Sequence, residues 1–275
     1  MTHDRCSDDK RAPDGSGADS VVSDAPGNRV EVARDSRGDD RMVNPARLLA
    51  ALRWRSAVPD RVFDRLYPAA VRRVSSVHWT PVAVALRAAE WLAPEAGARV
   101  LDVGSGPGKL CLIGAVARGG AWHGVERDPA LVQVANAAAK LLDLERSTTF
   151  TTGEMELVNW RSFDSLYFYN PFAAILFGEA PFARDVRWSM LTDQIARTEA
   201  HLADLAVGTR VVTYEGFGGD MPGAYRLTDA EMIGDGYLAL WVKQRTKRHA
   251  RTTRAQPRSD SGQPSVEAAV RRLDP

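Results

Sequence analysis

The chain is 275 residues long, 44% hydrophobic and 26% charged, with 36 basic side chains against 35 acidic ones. That length suits one large α/β domain with extensions or two small domains, and the composition is that of a chain able to bury a core. A formal net charge of +1 decides little about partners. Two cysteines, Cys6 in a polar leader and Cys111 in an apolar segment, exclude a disulfide framework, and no Cys/His spacing reads as a zinc site. Cys111 reads as a buried free thiol, which fits a reducing cytosol. No apolar run reaches the roughly 18 residues of a membrane span, so no membrane partner is expected. The first twenty residues lack the apolar h-region of a secretory signal.

Residues 1–40 are rich in Asp, Gly, Ser and Arg and hold almost no bulky apolar side chain, so they read as a disordered polar leader. A helical preface, 41–98, follows. Asn44 and Pro45 are suited to the N-cap and first position of a helix, with Leu48, Leu49 and Leu52 on one side and Arg47, Arg53 and Arg55 around it. Asp60 is the expected cap of a second short helix ended by Pro68. Thr80 and Pro81 are the expected cap and start of a third, with Val82, Ala85, Leu86, Ala89 and Leu92 on one face.

From Arg99 the pattern becomes strand–helix alternation. RVLDV, AWHGVE, TTFTT, SLYFYN and TRVVTYE read as strands. KLCLIGAVARG, the stretch capped by Asp128 and started by Pro129, and roughly 184–206 read as helices, with EMELVNW as a short helical turn. The end, AYRLTDAEMIGDGYLALWVKQ, reads as two strands around a Gly-Asp-Gly turn. The predicted fold over 99–243 is a doubly wound, mostly parallel sheet of about seven strands with an antiparallel hairpin at its C-terminal edge. Residues 244–275 read as a disordered tail that begins basic. Lys243, Arg245, Lys247, Arg248, Arg251, Arg254 and Arg258 follow one another without an acid, a solvated run with weak polyanion or nucleic-acid contact as the sharper reading.

In such a sheet ligands bind beyond the C-terminal ends of the strands, and residues 102–108 hold that place after the first strand. Gly104 and Gly106 tolerate positive φ and leave no Cβ in a ligand's path. A dinucleotide fingerprint needs its third glycine at position 109, which is Lys109. The spacing is instead Asp102-x-Gly104-x-Gly106-x-Gly108, and it resembles motif I of the class I, Rossmann-like, S-adenosylmethionine-dependent methyltransferases. The resemblance spans about Ser75 to Lys243 and carries three further marks. Glu126, closing the second strand, matches the acid that accepts both ribose hydroxyls. Gly153-Glu154-Met155 matches the pair that sets a carboxylate near the adenine amino group and the residue that covers the ring, with Glu in place of the commoner Asp. Tyr169-Asn170-Pro171-Phe172 matches the strand-four tetrapeptide of amino-group methyltransferases, lacking its second Pro.

The resemblance implies S-adenosylmethionine as cofactor, held by Asp102, Gly104, Gly106, Gly108, Glu126, Glu154 and Met155. It also implies a nitrogen acceptor oriented by the Asn170 oxygen against the Phe172 ring. Protein amines, nucleic acid and small molecules all stay open as acceptors. His78, Trp79 and Thr80 are lid candidates, and His78 and Glu215 are candidate general bases. No acidic metal cluster is visible. The competing readings are a noncatalytic binding protein that keeps the fold, and an NAD-dependent oxidoreductase, which the glycine spacing disfavours.

Overall fold

Side chains alternate between two faces along a strand, and here both faces are apolar. Val100, Tyr167, Val212 and Tyr214 join one buried cluster, while their neighbours Leu101, Val103, Leu166, Phe168 and Val211 join another. A sheet buried on both sides needs helices on both sides. The computed structural model describes residues 43–73, 79–172, 175 and 184–245, all within one compact unit, Asp40–Pro275. The predicted leader and nearly all of the predicted tail lie outside the described residues.

The strands are β1 (Arg99–Val103), β2 (Ala121–Glu126), β3 (Thr148–Thr152), β4 (Ser165–Phe168), β5 (Arg210–Tyr214), β6 (Tyr225–Ile233) and β7 (Gly236–Lys243). Their order is β3-β2-β1-β4-β5-β7-β6, parallel from β1 to β5, with β7 antiparallel to β5 and β6 antiparallel to β7. The predicted sheet and its closing hairpin are therefore present. Chain order reverses at β1, which pairs with both β2 and β4, so the crevice beyond β1 and β4 is the switch point where such sheets take ligands.

The helices are α1 (Pro45–Arg53), α2 (Asp60–Phe63), α3 (Ala69–Arg72), α4 (Val82–Leu92), α5 (Lys109–Arg118), α6 (Pro129–Leu141) and α7 (Arg184–Ala203). One buried cluster unites α1, α4, α5 and α6 with the sheet face of Val100 and Val212, so the preface is packed into the domain core. Leu52 and Phe63 are fully buried there, each worth about 1.5–3 kcal/mol relative to exposure. The other face is covered by the C-terminal end of α7 and the residues just after it, through Leu202 and Leu205.

Two helix starts form as expected. Asn44 Oδ1 accepts from Arg47 N–H at 3.2 Å, and Asp128 Oδ1 accepts from Ala130 N–H at 2.8 Å. Two others differ. Asp60 opens α2 without capping it; its Oδ1 accepts from Val82 N–H at 2.9 Å and so caps α4 from 22 residues away. Thr80 does not cap α4. Its hydroxyl is buried and bonds the Tyr167 hydroxyl at 3.1 Å, which fixes the start of α4 to β4. Lys243, counted above with the basic tail, is buried instead. Its Nζ donates to the carbonyls of Leu202, Ala203 and Leu205 at 3.3, 2.7 and 2.6 Å, satisfying the open C-terminus of α7.

Candidate functional site

The loop after β1 is built by alternation. Gly104, Gly106 and Gly108 all have positive φ, +77°, +53° and +77°, a region that costs other residues roughly 1–2 kcal/mol. The start of the loop is held beside β2: Gly104 N–H and Ser105 N–H both donate to Val125 O, at 2.9 and 3.1 Å. The three glycines differ in what surrounds them. A Cβ on Gly108 would stand 2.5 Å from the Phe150 ring, so this glycine is required by packing. A Cβ on Gly104 would lie 3.0 Å from Pro171 Cα, which brings the loop and the turn after β4 together. A Cβ on Gly106 would meet nothing within 4 Å, so that position alone faces open space.

Glu126 ties this loop to the next helix. Its Oε2 accepts from Gly106 N–H and its Oε1 from Asp128 N–H, both at 2.9 Å. A carboxylate oxygen has two lone pairs, so each keeps one acceptor position for a ligand hydroxyl. Asp102, in contrast, is buried at 4% exposure. Burial, with the Glu126 charge adding to it, pushes its carboxyl up to about 8, although the Cys111 thiol donates to Oδ2 at 3.8 Å. Cys111 is a buried free thiol, as expected, and burial raises its own proton affinity.

Beside the loop lies a cleft. Asp102, Gly104, Ser105, Gly106 and Lys109 form one side of it, and Trp79, Thr80, Tyr167 and Tyr169 form the other. Tyr167 and Tyr169 point the same way because they are two apart on and just past β4. Burial, Tyr214 and Glu215 push the Tyr169 phenol up to about 12. It keeps its proton at neutral pH.

The other expected residues are placed as follows. Asn170 has φ +47°, a left-handed residue directly after the cleft-lining Tyr169, with which it shares a side-chain hydrogen bond. Glu215, at the end of neighbouring β5, is also left-handed at φ +61°, and its Oε1 accepts from Tyr237 N–H at 2.5 Å. The Phe172 ring, expected as a wall for the acceptor, is buried among Ile175, Leu191 and Ile195, where it braces the chain after β4 against α7. Glu154 is half exposed and pairs with Arg127 Nε at 3.0 Å. Met155 is buried in the cluster under α7, and its sulfur accepts from the Thr198 hydroxyl at 3.6 Å. His78 lies outside the described residues.

Sequence reasoning missed Lys109. It reads as a spoiled dinucleotide glycine, yet its side chain is 3% exposed and its Nζ lies 2.6 Å from Asp60 Oδ1 and 2.7 Å from Asp64 Oδ1. The Phe63 ring is 5.5 Å from the same Nζ. Lys109 thus pins α2 onto the N-terminus of α5 beside the cleft. From there an aromatic line, Phe63 to Tyr67 to Trp79, leads back to the cleft wall, with ring centroids 6.0 and 5.0 Å apart. The only signal lies 49 and 45 residues upstream, in Asp60, which reads as a helix cap, and in Asp64.

The family model described as protein-L-isoaspartate(D-aspartate) O-methyltransferase matches residues 65–187, the stretch that carries the glycine loop, Glu126 and Asn170. Over that stretch, a little under half of the chain, the sequence is similar to the methyltransferases of that family. An RNA methyltransferase from Salinibacter ruber, solved with S-adenosyl-L-homocysteine, is similar at 21% identity over 62% of this chain and 97% of that one, with a TM-score of 0.43. The putative methyltransferase yhhF from Escherichia coli is similar at 18% identity over 59% and 86%, TM-score 0.43. TrmN from Thermus thermophilus is similar at 18% over 63% and 53%, TM-score 0.44. No curated protein matches the sequence. The described residues include no helix long and apolar enough to cross a membrane, and no cluster of three or more His, Cys, Asp or Glu side chains placed to hold a metal ion.

Proposed function

We propose that the protein is a methyltransferase that moves the methyl group of S-adenosylmethionine onto a nitrogen acceptor presented at Asn170. The observation that carries the reading is the Glu126 carboxylate, fixed by Gly106 and Asp128 N–H at the end of β2 with acceptor capacity to spare. It suits a ribose diol, as the open side of Gly106 suits a ligand lying over the loop. Glu154 and Met155 are assigned to the adenine end and Asp102 to the amino acid end. When bound, the sulfonium supplies an activated methyl group with a good leaving group, so the chain's own task is alignment. The Asn170 side-chain oxygen orients the amine lone pair, and Phe172, two residues on, anchors the chain after β4 by packing against α7.

Glu126→Ala should weaken S-adenosylhomocysteine binding roughly ten- to hundredfold, the value of hydrogen bonds to a charged group. Gly106→Val should weaken it as well, by filling the open side of the loop. Calorimetric titration reads both, and unchanged affinity in the two variants would remove the donor site. NAD titrated in parallel should give no heat.

Asn170→Ala is expected to lower turnover far more than cofactor affinity, since the lost interaction belongs to the acceptor and the transition state. Wild-type turnover in that variant would leave the turn a structural one. A second reading is favoured by the family match: a carboxyl oxygen as acceptor. Tritiated methyl groups on cell-extract fractions separate the two, because methyl esters release methanol in alkali and N-methyl groups do not.

A further inference from the structure

The preface carries a charge that the rest of the chain offsets. Residues 43–73 hold seven arginines, no lysine and two aspartates, in a chain whose formal net charge is only +1. Both aspartates, Asp60 and Asp64, are paired with Lys109. Arg55 is paired with Glu90 at 2.5 Å, and Arg65 and Arg72 have partners of their own. Among the described residues, no carboxylate pairs with Arg47, Arg53 or Arg61, and all three side chains are exposed. Between Arg53 and Arg55 in the chain, Trp54 is 84% exposed.

Trp54 is not a frayed end. Arg55 N–H donates to Leu52 O at 3.1 Å and Ser56 N–H to Ala51 O at 2.9 Å, the pair of bonds that closes a helix in a Schellman motif. The left-handed position of that motif is ordinarily glycine, yet here it is Arg55 at φ +52°, anchored by Glu90. The last turn of α1 is therefore fixed, and it holds an indole out into solvent between two arginines. The apolar side of α1 is already used, since Leu48 and Leu52 are buried. Among the described residues of 43–73, Trp54 is the only large apolar side chain exposed. That does not supply the continuous apolar face that membrane insertion requires.

We propose that α1 and the start of α2 form a docking surface for single-stranded RNA, with Trp54 as a base-stacking platform and Arg47, Arg53 and Arg61 as its phosphate contacts. Arginine rather than lysine suits this partner, because the planar guanidinium meets phosphate oxygens in pairs and stacks on bases. A lone exposed indole flanked by cations is the pairing that single strands use, since every base offers a π-face. Duplexes hide that face, and single-stranded segments of RNA expose it. The surface adjoins the cleft through Asp60, whose carboxylate holds the cleft-lining Lys109 and precedes Arg61. That the bound strand supplies the acceptor nitrogen rests on the methyl-transfer reading; the docking itself does not.

The test is fluorescence anisotropy of a labelled, mixed-sequence, single-stranded RNA oligomer with the full chain, without cofactor, over a range of salt. Trp54→Ala should weaken binding about five- to hundredfold, the span of one lost base stack. The combined Arg47→Gln, Arg53→Gln and Arg61→Gln variant should flatten the logarithmic salt slope by about 2, at roughly 0.7 per phosphate released. Both variants should keep the wild-type melting temperature and the wild-type affinity for S-adenosylhomocysteine, so failure here is distinct from failure of the donor site. Wild-type affinity and slope in both variants would assign RNA binding to the basic tail and overturn the proposal. Equal binding of duplex DNA indifferent to Trp54→Ala would overturn it too, as would Trp54-dependent binding of phosphatidylglycerol vesicles in place of RNA.

Discussion

Replacing Lys109 by methionine is expected to cost the fold about 3–5 kcal/mol, the typical penalty for stranding one buried charge. Methionine keeps the length of the side chain, so little cavity is opened; what is lost is the cation between Asp60 and Asp64. Asp64 is the sensitive partner, with its side chain only 6% exposed, whereas Asp60 is 49% exposed and can turn to water. For a domain of this size, about 2–4 °C per kcal/mol puts the fall in melting temperature near 10 °C. The pH dependence separates charge from packing. In Lys109→Met the buried Asp64 binds a proton more tightly when folded than when unfolded. The deficit is then largest at neutral pH and shrinks as pH falls through the carboxylate range, where the stranded group is neutral in both states. Adding Asp64→Leu to Lys109→Met should recover most of the loss, because a matched apolar pair often replaces a buried ion pair at no cost. Urea denaturation at pH 4 and pH 7 measures all three proteins. A pH-independent deficit that survives Asp64→Leu would mean that the lysine stem, rather than its charge, seats the preface.

That clamp also marks how far a sequence carries. The glycine loop, Glu126 and the Asp128-Pro129 helix start were legible because each is local: a strand, a turn and a helix start lie within a few residues of one another. The same holds for the hairpin of β6 and β7. What escaped depends on partners far along the chain. Asp60 looks like the cap of its own helix and caps α4 instead, because the fold brings Val82 N–H within 2.9 Å. Lys243 looks like the first charge of a solvated tail and closes the end of α7. Gly108 looks like a clearance for a ligand, yet its missing Cβ is owed to the Phe150 ring. Tyr167 and Tyr169 could have been read, since residues two apart on a strand share a face, but nothing local says which face meets the crevice. Phe172 shows the same gap: an aromatic after a strand serves equally as a ligand wall or as core, and α7 decides for core.

Asp102 should make the stability of the protein fall as pH rises between about 4 and 8. Its folded carboxyl sits near 8 against an ordinary value of 3.8, mainly through burial. A raised value means that the folded state holds the proton more tightly than the unfolded state. The contribution is therefore fully present below the unfolded value, declines across the interval and is gone above 8. At about 1.4 kcal/mol per unit, moving from pH 5 to pH 8 removes on the order of 4 kcal/mol. Asp102→Asn has no such proton, so its stability relative to the wild type should climb by that amount over the same range, as read by urea denaturation. Cofactor binding should reverse the preference. An ammonium group brought to Asp102 favours the carboxylate, so S-adenosylhomocysteine should bind more tightly as pH rises from 6 to 8 and release up to one proton near pH 7. Calorimetry in buffers of different ionisation enthalpy counts that proton directly. Asp102→Asn should abolish both the release and the pH dependence. Release undiminished in that variant would assign the proton to another group and place Asp102 outside the amino acid end of the site.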